Sequence, residues 1–207
     1  MICPPKASPL RPAALVRLGV LLCAHVLVFA QGVPDSQLPT GGQVKAGSAS
    51  IQQSGNTLQI NQTSQRAVVD WNTFNVGAQA QVQFQQPNAQ AVTLNRVNDI
   101  NPSQIFGRIT APGQVVLVNP QGVYFGKSAV VDVGGIVATT HQISNQDFME
   151  GRAIYNRAGS TGSVVNEGEL RAALGGYIAL LAPNVQNKGI VVANLGTVAL
   201  AAGEQYE

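Results

Sequence analysis

Cysteine is missing from residue 31 onward: the two in this 207-residue chain, Cys3 and Cys23, both lie in its first thirty positions. No disulfide can hold the remaining 177 residues together, so their fold must rest on a hydrophobic core, and that length is enough to build one. Charge is scarce too. Lys, Arg, Asp and Glu make up 11% of the chain, and once Lys6, Arg11 and Arg17 are set aside, nine basic residues face ten acidic ones. The net charge beyond residue 30 is therefore near −1, with no basic patch to grip a phosphate backbone; nucleic acid is not an expected partner. Aromatic residues are 5% of the chain and Trp71 is its one tryptophan. His141 is the only histidine after residue 30 and has no cysteine or carboxylate cluster beside it. It reads as a surface or turn residue, and neither a metal nor a cofactor is expected. Helix formers other than Ala and Gln are few, whereas Gly, Val and Asn abound, a composition that favours strands and tight turns.

The first thirty residues form a unit of their own. A basic stretch ending at Arg17 precedes an apolar run, Leu18–Ala30, with Val28 and Ala30 at −3 and −1 of a cleavage site before Gln31. The apolar run is shorter than the ~20 residues that span a membrane. Residues 1–30 are thus expected to be a signal peptide and residues 31–207 an exported domain.

Within that domain the organising stretch is Pro112–Thr140. Its apolar runs Val115–Val118, Val123–Phe125, Ala129–Val133 and Ile136–Ala138 are separated by Asn119-Pro120-Gln121-Gly122, by Gly126-Lys127-Ser128 and by Gly134-Gly135. Short β-branched runs bounded by Gly, Pro and Asn predict strands. Because they are apolar at nearly every position, they suit a sheet covered on both faces or wound on itself. Earlier in the chain, Ile51, Leu58 and Ile60 flank a turn at Gly55-Asn56, and further strands are expected at Val82–Phe84, Ala91–Leu94 and Ile105–Ile109. Turns are expected at Gln86–Asn88, Asn98–Ser103 and Ala111–Gly113, and an extended segment at 31–47. Trp71 and Phe74 carry the largest apolar area and are placed near the closed end of the core. After Thr140 the pattern breaks; His141–Arg152 is the most helix-compatible stretch and reads as a loop standing off the body.

A repeat is plain near the end. Asn166 and Asn187, like Gly168 and Gly189, are 21 residues apart, and Gly176–Ala182 matches Gly196–Ala202 at an offset of 20. That period with short strands and no helix fits one turn of a β-solenoid; a leucine-rich repeat shares the period but needs a Leu consensus absent here. Stacked turns bring equivalent residues to the strand spacing of about 4.8 Å. Asn166 over Asn187 would then form a short asparagine ladder.

These residues carry a family resemblance. Trp71-Asn72-x-Phe74-Asn75-Val76-Gly77, Asn95-Arg96-Val97, Pro102-Ser103-Gln104-Ile105-x-Gly107-Arg108-Ile109, Gly113-Gln114-Val115, Asn119–Gly126 and Gly135–Thr140 follow one another in order. Together they resemble the amino-terminal secretion domain of two-partner-secreted exoproteins, the filamentous haemagglutinin family, in its high-molecular-weight adhesin-like branch. The resemblance runs from about Gly42 to Glu207. It implies an all-β fold, a right-handed parallel β-helix with an amino-terminal cap and extra-helical excursions. It also implies a partner, an outer-membrane β-barrel transporter with periplasmic docking domains, and a destination outside the cell or on its surface. Host cells would be met through a region further along such chains.

The family pattern at the central turn is Asn-Pro-Asn-Gly; Gln121 stands where it has the second asparagine. The physical task of Asn119, Pro120, Gln121 and Gly122 is a turn. Proline fixes φ at the first central position, Asn119 can bond backbone two residues on, and a type I turn ending at Gly122 is expected. Gln121 weakens the idea that a transporter reads an asparagine side chain there.

The same residues bear on two other functions. A β-helix carbohydrate-active enzyme needs clustered carboxylates, and Asp70, Asp99, Asp132 and Asp147 lie far apart with none in a paired motif. No catalytic residue is assigned. Direct cell or glycan binding has no motif of its own; Asn61-Gln62-Thr63 is the usable glycosylation sequon, since Asn101-Pro102-Ser103 has proline in its middle. The repeat at 185–202 is as apolar as the one before it and only five residues follow, so the chain is expected to be either the beginning of a longer exoprotein or a remnant of one.

Overall fold

The computed structural model describes residues 32–206, so the signal-peptide expectation for 1–30 falls outside the described residues. Strands β1 (Gln43–Ala46), β2 (Ala49–Ser54), β3 (Thr57–Gln62) and β4 (Arg66–Trp71) come first. β5 (Gln81–Gln85), β6 (Val92–Val97) and β7 (Ser103–Ile105) complete one turn, and β8 (Arg108–Val118) with β9 (Gly122–Phe125) the next. β10 (Val130–Thr139) leads into an excursion carrying helix α1 (Asn145–Met149) and β11 (Tyr155–Asn156), after which β12 (Ser163–Asn166) closes that turn. β13 (Glu169–Ala172), β14 (Tyr177–Leu181) and β15 (Asn184–Asn187) form another turn; β16 (Ile190–Ala193), β17 (Thr197–Ala201) and β18 (Gln205–Tyr206) follow.

The result is a parallel β-solenoid with three walls. The first stacks β3, β5, the first part of β8, the first part of β10, β13 and β16. The second stacks β4, β6, the second parts of β8 and β10, β14 and β17. The third stacks β7, β9, β12 and β15. Register partners Leu170 and Val191 are 21 residues apart, and Ile178 and Val198 are 20 apart.

Two expected breaks are corners inside continuous strands. The ladder passes through Ala111–Gly113 and through Gly134-Gly135, with one register irregularity between Val133 and Gly135. A column of glycines makes the bend possible: a Cβ on Gly134 would lie 2.7 Å from the Gly113 carbonyl oxygen, and one on Gly176 would lie 2.1 Å from that of Gly134. Backbones this close leave no room for a side chain, so the wall can turn without leaving the ladder. By contrast, the expected strand Ile105–Ile109 is broken at Phe106-Gly107, where the chain passes from the third wall to the first. Within 31–47, expected to be extended, β1 pairs antiparallel with β4.

The walls bury side chains by two patterns. β3 alternates, with Leu58, Ile60 and Gln62 inward and Thr57, Gln59 and Asn61 outward. The second wall is buried on both faces: Val115, Leu117, Ile136 and Ala138 fill the solenoid interior. Val116, Val118 and Val137 turn outward, under Ile143, Phe148 and Tyr155 of the excursion. This is why the sequence there is apolar at consecutive positions. The excursion therefore packs on the wall rather than standing off it.

The two ends differ. At the first turn, β1 lies antiparallel against β4, β2 forms a hairpin with β3, and Trp71 meets Phe74 edge to face at 5.5 Å. At the other end Ile190, Val198 and Leu200 are about half exposed. The final strand β18 pairs with β11 of the excursion and does not cross that end.

Candidate functional site

The turn Asn119–Gly122 sits where the second wall passes into the third. Gly122 N–H donates to the Asn119 carbonyl at 3.0 Å, closing the turn, and Asn119 Oδ1 accepts from Gln121 N–H at 2.9 Å. The Asn119 amide nitrogen points into the body and donates to the Asn101 carbonyl at 3.1 Å and to Ser103 Oγ at 3.0 Å. Asn119 is 0% exposed. Every hydrogen-bonding atom of its side chain is thus in use, tying one turn of the solenoid to the previous one. Pro120 is fastened through its carbonyl, which accepts from Ser160 Oγ at 2.7 Å. Gln121 alone faces solvent, so its amide leaves the turn's internal bonds intact. Beside the turn runs a shallow groove of about 320 Å³ between Pro102, Tyr124 and the returning segment Thr161–Ser163.

Trp71 lies on the first turn of the solenoid, its indole N–H donating to Asn95 Oδ1 at 3.0 Å, with Phe74 against its ring. Asn166 is buried, and its Nδ2 donates to Asn187 Oδ1 at 2.8 Å while its Oδ1 accepts from Gly168 N–H at 3.1 Å. Asn187 is exposed. These positions are spread over three regions and do not converge on one site.

His141, read from sequence as a surface or turn residue, sits in a bend but is fully buried. Its Nε2 lies 2.9 Å from the Gly203 carbonyl and its ring packs against Tyr206 at 5.0 Å. The reason is long range: the tail strand β18 returns onto the excursion, through Tyr155↔Tyr206 and Asn156↔Gln205, and covers the imidazole.

The residue that fastens the excursion, Arg96, stands in one of the motifs quoted above, but the sequence does not disclose that role. Arg96 Nη1 pairs with Asp70 at 3.3 Å, and its Nη2 donates to the Ile143 carbonyl at 3.0 Å and to Asn145 Oδ1 at 2.7 Å. Spacing offers no signal for it, since Arg96 and Asn145 are 49 residues apart. A second missed feature is a polar chain along the corner between the first two walls. Thr93 Oγ1 bonds Gln62 and Gln86, Gln86 Nε2 also donates to the Gln114 carbonyl, and Gln114 Oε1 accepts from Tyr177 at 3.0 Å.

The carboxylates weighed for catalysis are not brought together. Asp70 is held by Arg96, Asp132 faces Arg108 at 3.9 Å, and Asp147 is gripped by Arg152 at 2.7 Å. Among the described residues no group of three or more His, Cys, Asp or Glu is placed to hold a metal ion. Nor is any helix there long and apolar enough to cross a membrane.

The family described as TPS secretion domain matches residues 30–207. A Haemophilus influenzae protein described as heme/hemopexin-binding protein is 35% identical over 177 residues, which are 82% of this chain and 19% of the relative. A second of the same description and genus is 38% identical over 111 residues, 54% of this chain and 12% of its own length. The chain thus spans about a fifth or less of these relatives. Among solved structures, the HMW1 secretion domain from Haemophilus influenzae superposes with a TM-score of 0.77 at 31% identity, over 81% of this chain and 45% of that one. The filamentous hemagglutinin secretion domain matches with a TM-score of 0.57 at 18% identity, over 82% of this chain and 65% of that one, a likeness of fold alone. None of these descriptions is of an enzyme.

Proposed function

This chain belongs to the TPS (two-partner secretion) secretion domain family, and from that premise we propose that residues 31–207 are the address by which a partner outer-membrane β-barrel transporter recognises an exported exoprotein. Exoproteins of this family leave through the outer membrane and engage a partner transporter. The finer steps are our reading: periplasmic docking domains of the transporter bind this segment, the chain passes outward largely unfolded, and the first turns of the solenoid then nucleate the rest of a surface or secreted adhesin.

One observation carries the reading. The Asn119–Gly122 turn has its distinctive side chain, Asn119, wholly committed to bonds inside the folded solenoid. A transporter contacting that side chain must do so before the corner closes, and afterwards the same residue locks two turns together. Motif and folding nucleus are then one feature used at two stages. Absence of cysteine beyond residue 30 removes any cross-link that would block threading. Solenoid turns contact only their neighbours, so completion of one presents an edge on which the next forms.

The test is retention of fragment 31–207 by the transporter's periplasmic domains, presented folded and presented freshly diluted from urea. Stronger retention of the unfolded form is the expected result, and retention of neither form overturns the proposal. The binding named for the heme/hemopexin-binding relatives belongs to proteins at least five times the matched length, about 19% and 12% being covered. Nothing in the described residues favours placing it here.

A further inference from the structure

Between the outer face of the second wall and the excursion lies a cleft of about 180 Å³ whose chemistry the secretion role does not use. Its apolar sides are Val92, Val116, Ile143 and Phe148, and no acidic residue lines it. The polar groups that face it are Arg66, Arg152, Gln114, Tyr155 and Tyr177.

Arg66 is unlike the other arginines. Arg96, Arg108, Arg152, Arg157 and Arg171 each have a carboxylate partner, whereas among the described residues Arg66 has none. Its guanidinium sits 5.5 Å above the Phe148 ring, which holds it in place without neutralising it. Arg152, the other cation at the cleft, is taken up by two carboxylates, Asp147 and Glu150. Arg66 is therefore the one cation lining the cleft that has no carboxylate partner among the described residues.

The phenols supply neutral donors. Tyr177 is already engaged with Gln114, but the Tyr155 hydroxyl has no hydrogen-bond partner among the described residues. It is also not one of the unpartnered hydroxyls sealed from solvent, which are those of Thr140 and Tyr206. Burial, with a smaller contribution from Tyr177, pushes the Tyr155 phenol well above its ordinary range, and burial raises Tyr177 too. Both are protonated at neutral pH; the Tyr177 proton is given to Gln114 Oε1, which leaves Tyr155 as the donor.

We propose that this cleft binds a small organic monocarboxylate, the carboxylate taken by the Arg66 guanidinium and the Tyr155 hydroxyl and the apolar body laid against Phe148 and the valine wall. A guanidinium and a hydroxyl lining the same partly dried cleft can give charge-assisted bonds to one anion. One uncompensated cation matches a single negative charge; a phosphate dianion would lack a second. Volume limits the guest to a fragment, since pockets for larger ligands run from about 300 Å³ upward. A ligand there would touch wall and excursion at once, fastening one to the other.

The test is an NMR titration of the isotope-labelled full chain with sodium benzoate, beside benzyl alcohol as the neutral analogue and inorganic phosphate as the apolar-free anion. Saturable shifts centred on Arg66, Gly151 and Ala153 are expected with benzoate, with affinity about tenfold or more above benzyl alcohol, equivalent to the ~1.4 kcal/mol of a tenfold change. Arg66→Met should abolish that preference while the remaining signals stay in place. Absence of saturation with benzoate, equal affinity for benzyl alcohol, tighter binding of phosphate, or a preference that survives in Arg66→Met each overturns it. The contrast among the three probes is read on the unaltered chain, so it decides the matter even where the variant does not fold.

Discussion

The two ends of the solenoid are built by opposite rules. At the first turn an antiparallel strand, a hairpin and two interlocked aromatic rings close the stack, and Trp71 is 1% exposed. At the last, the same wall ends in β17 with Val198 47% and Leu200 48% exposed. Parallel stacking alone cannot finish itself, because each turn satisfies one edge and offers another. The closed end solves this by reversing strand direction; the last described turn, β16 and β17, has a parallel neighbour on one side only. Stability should therefore be concentrated in the closed first turn.

Removing the aromatic anchor tests that claim most severely. Trp71→Ala empties a fully buried position and leaves Asn95 Oδ1 without the indole donor. A loss of roughly 3–5 kcal/mol is expected from the side chain alone. It would be read as a lowered urea midpoint; an unchanged midpoint would mean that the first turn does not anchor the stack.

A matched pair sharpens the contrast. Ile178 and Val198 occupy the same register position on successive turns, the first 0% and the second 47% exposed. Ile178→Ala should cost roughly 2–5 kcal/mol, whereas Val198→Ala should cost under about 1 kcal/mol. Equal costs in parallel denaturant titrations would show that the last turn is covered in solution.

How far the sequence disclosed this molecule depends on the range of the interaction. The Asn166 and Gly168 spacing announces the solenoid because stacking repeats the same local demand every turn. The unbroken apolar run at Val115–Val118 correctly reads as a strand covered on both faces, yet it cannot say by what. The cover is the excursion, whose Phe148 and Tyr155 come from beyond Thr140. In the sequence the corners read as turns or breaks between strands because glycine marks close backbone approach as well as turns, and only the stacked neighbour at Gly113, Gly134 and Gly176 tells them apart. Arg66, Tyr155 and Tyr177 belong to three different turns and share no spacing at all. His141 escapes for the same reason, since its contacts, the Gly203 carbonyl and the Tyr206 ring of β18, come from 62 residues away and beyond. Local chemistry is legible; what one turn lays upon another is not.

The smallest effect separates the excursion from the body by acid. Ser144 caps α1, its Oγ accepting from Asp147 N–H at 3.0 Å and donating to the Asp147 carboxylate at 2.5 Å. Arg152 grips the same carboxylate, and Glu150 is bonded by Gln146 at 3.1 Å and by Arg152. The hydrogen bond from Ser144, followed by that from Arg152, holds Asp147 below its ordinary 3.8, and the bonds from Gln146 and then Arg152 hold Glu150 below its ordinary 4.5. A carboxylate whose folded pKa is depressed contributes stability that is complete above its unfolded value and is lost as pH falls through the folded one. The helix should thus be unchanged from neutral pH down to about 5 and loosen below about 4. Both carboxylates are open to solvent, so screening keeps the effect modest and confined to this segment. Amide shifts of Ser144–Arg152 should move between pH 5 and 3 while the Trp71 indole N–H signal stays fixed. If both move together, the excursion and the closed end melt as one unit, and the division between an anchored body and a separately held excursion fails.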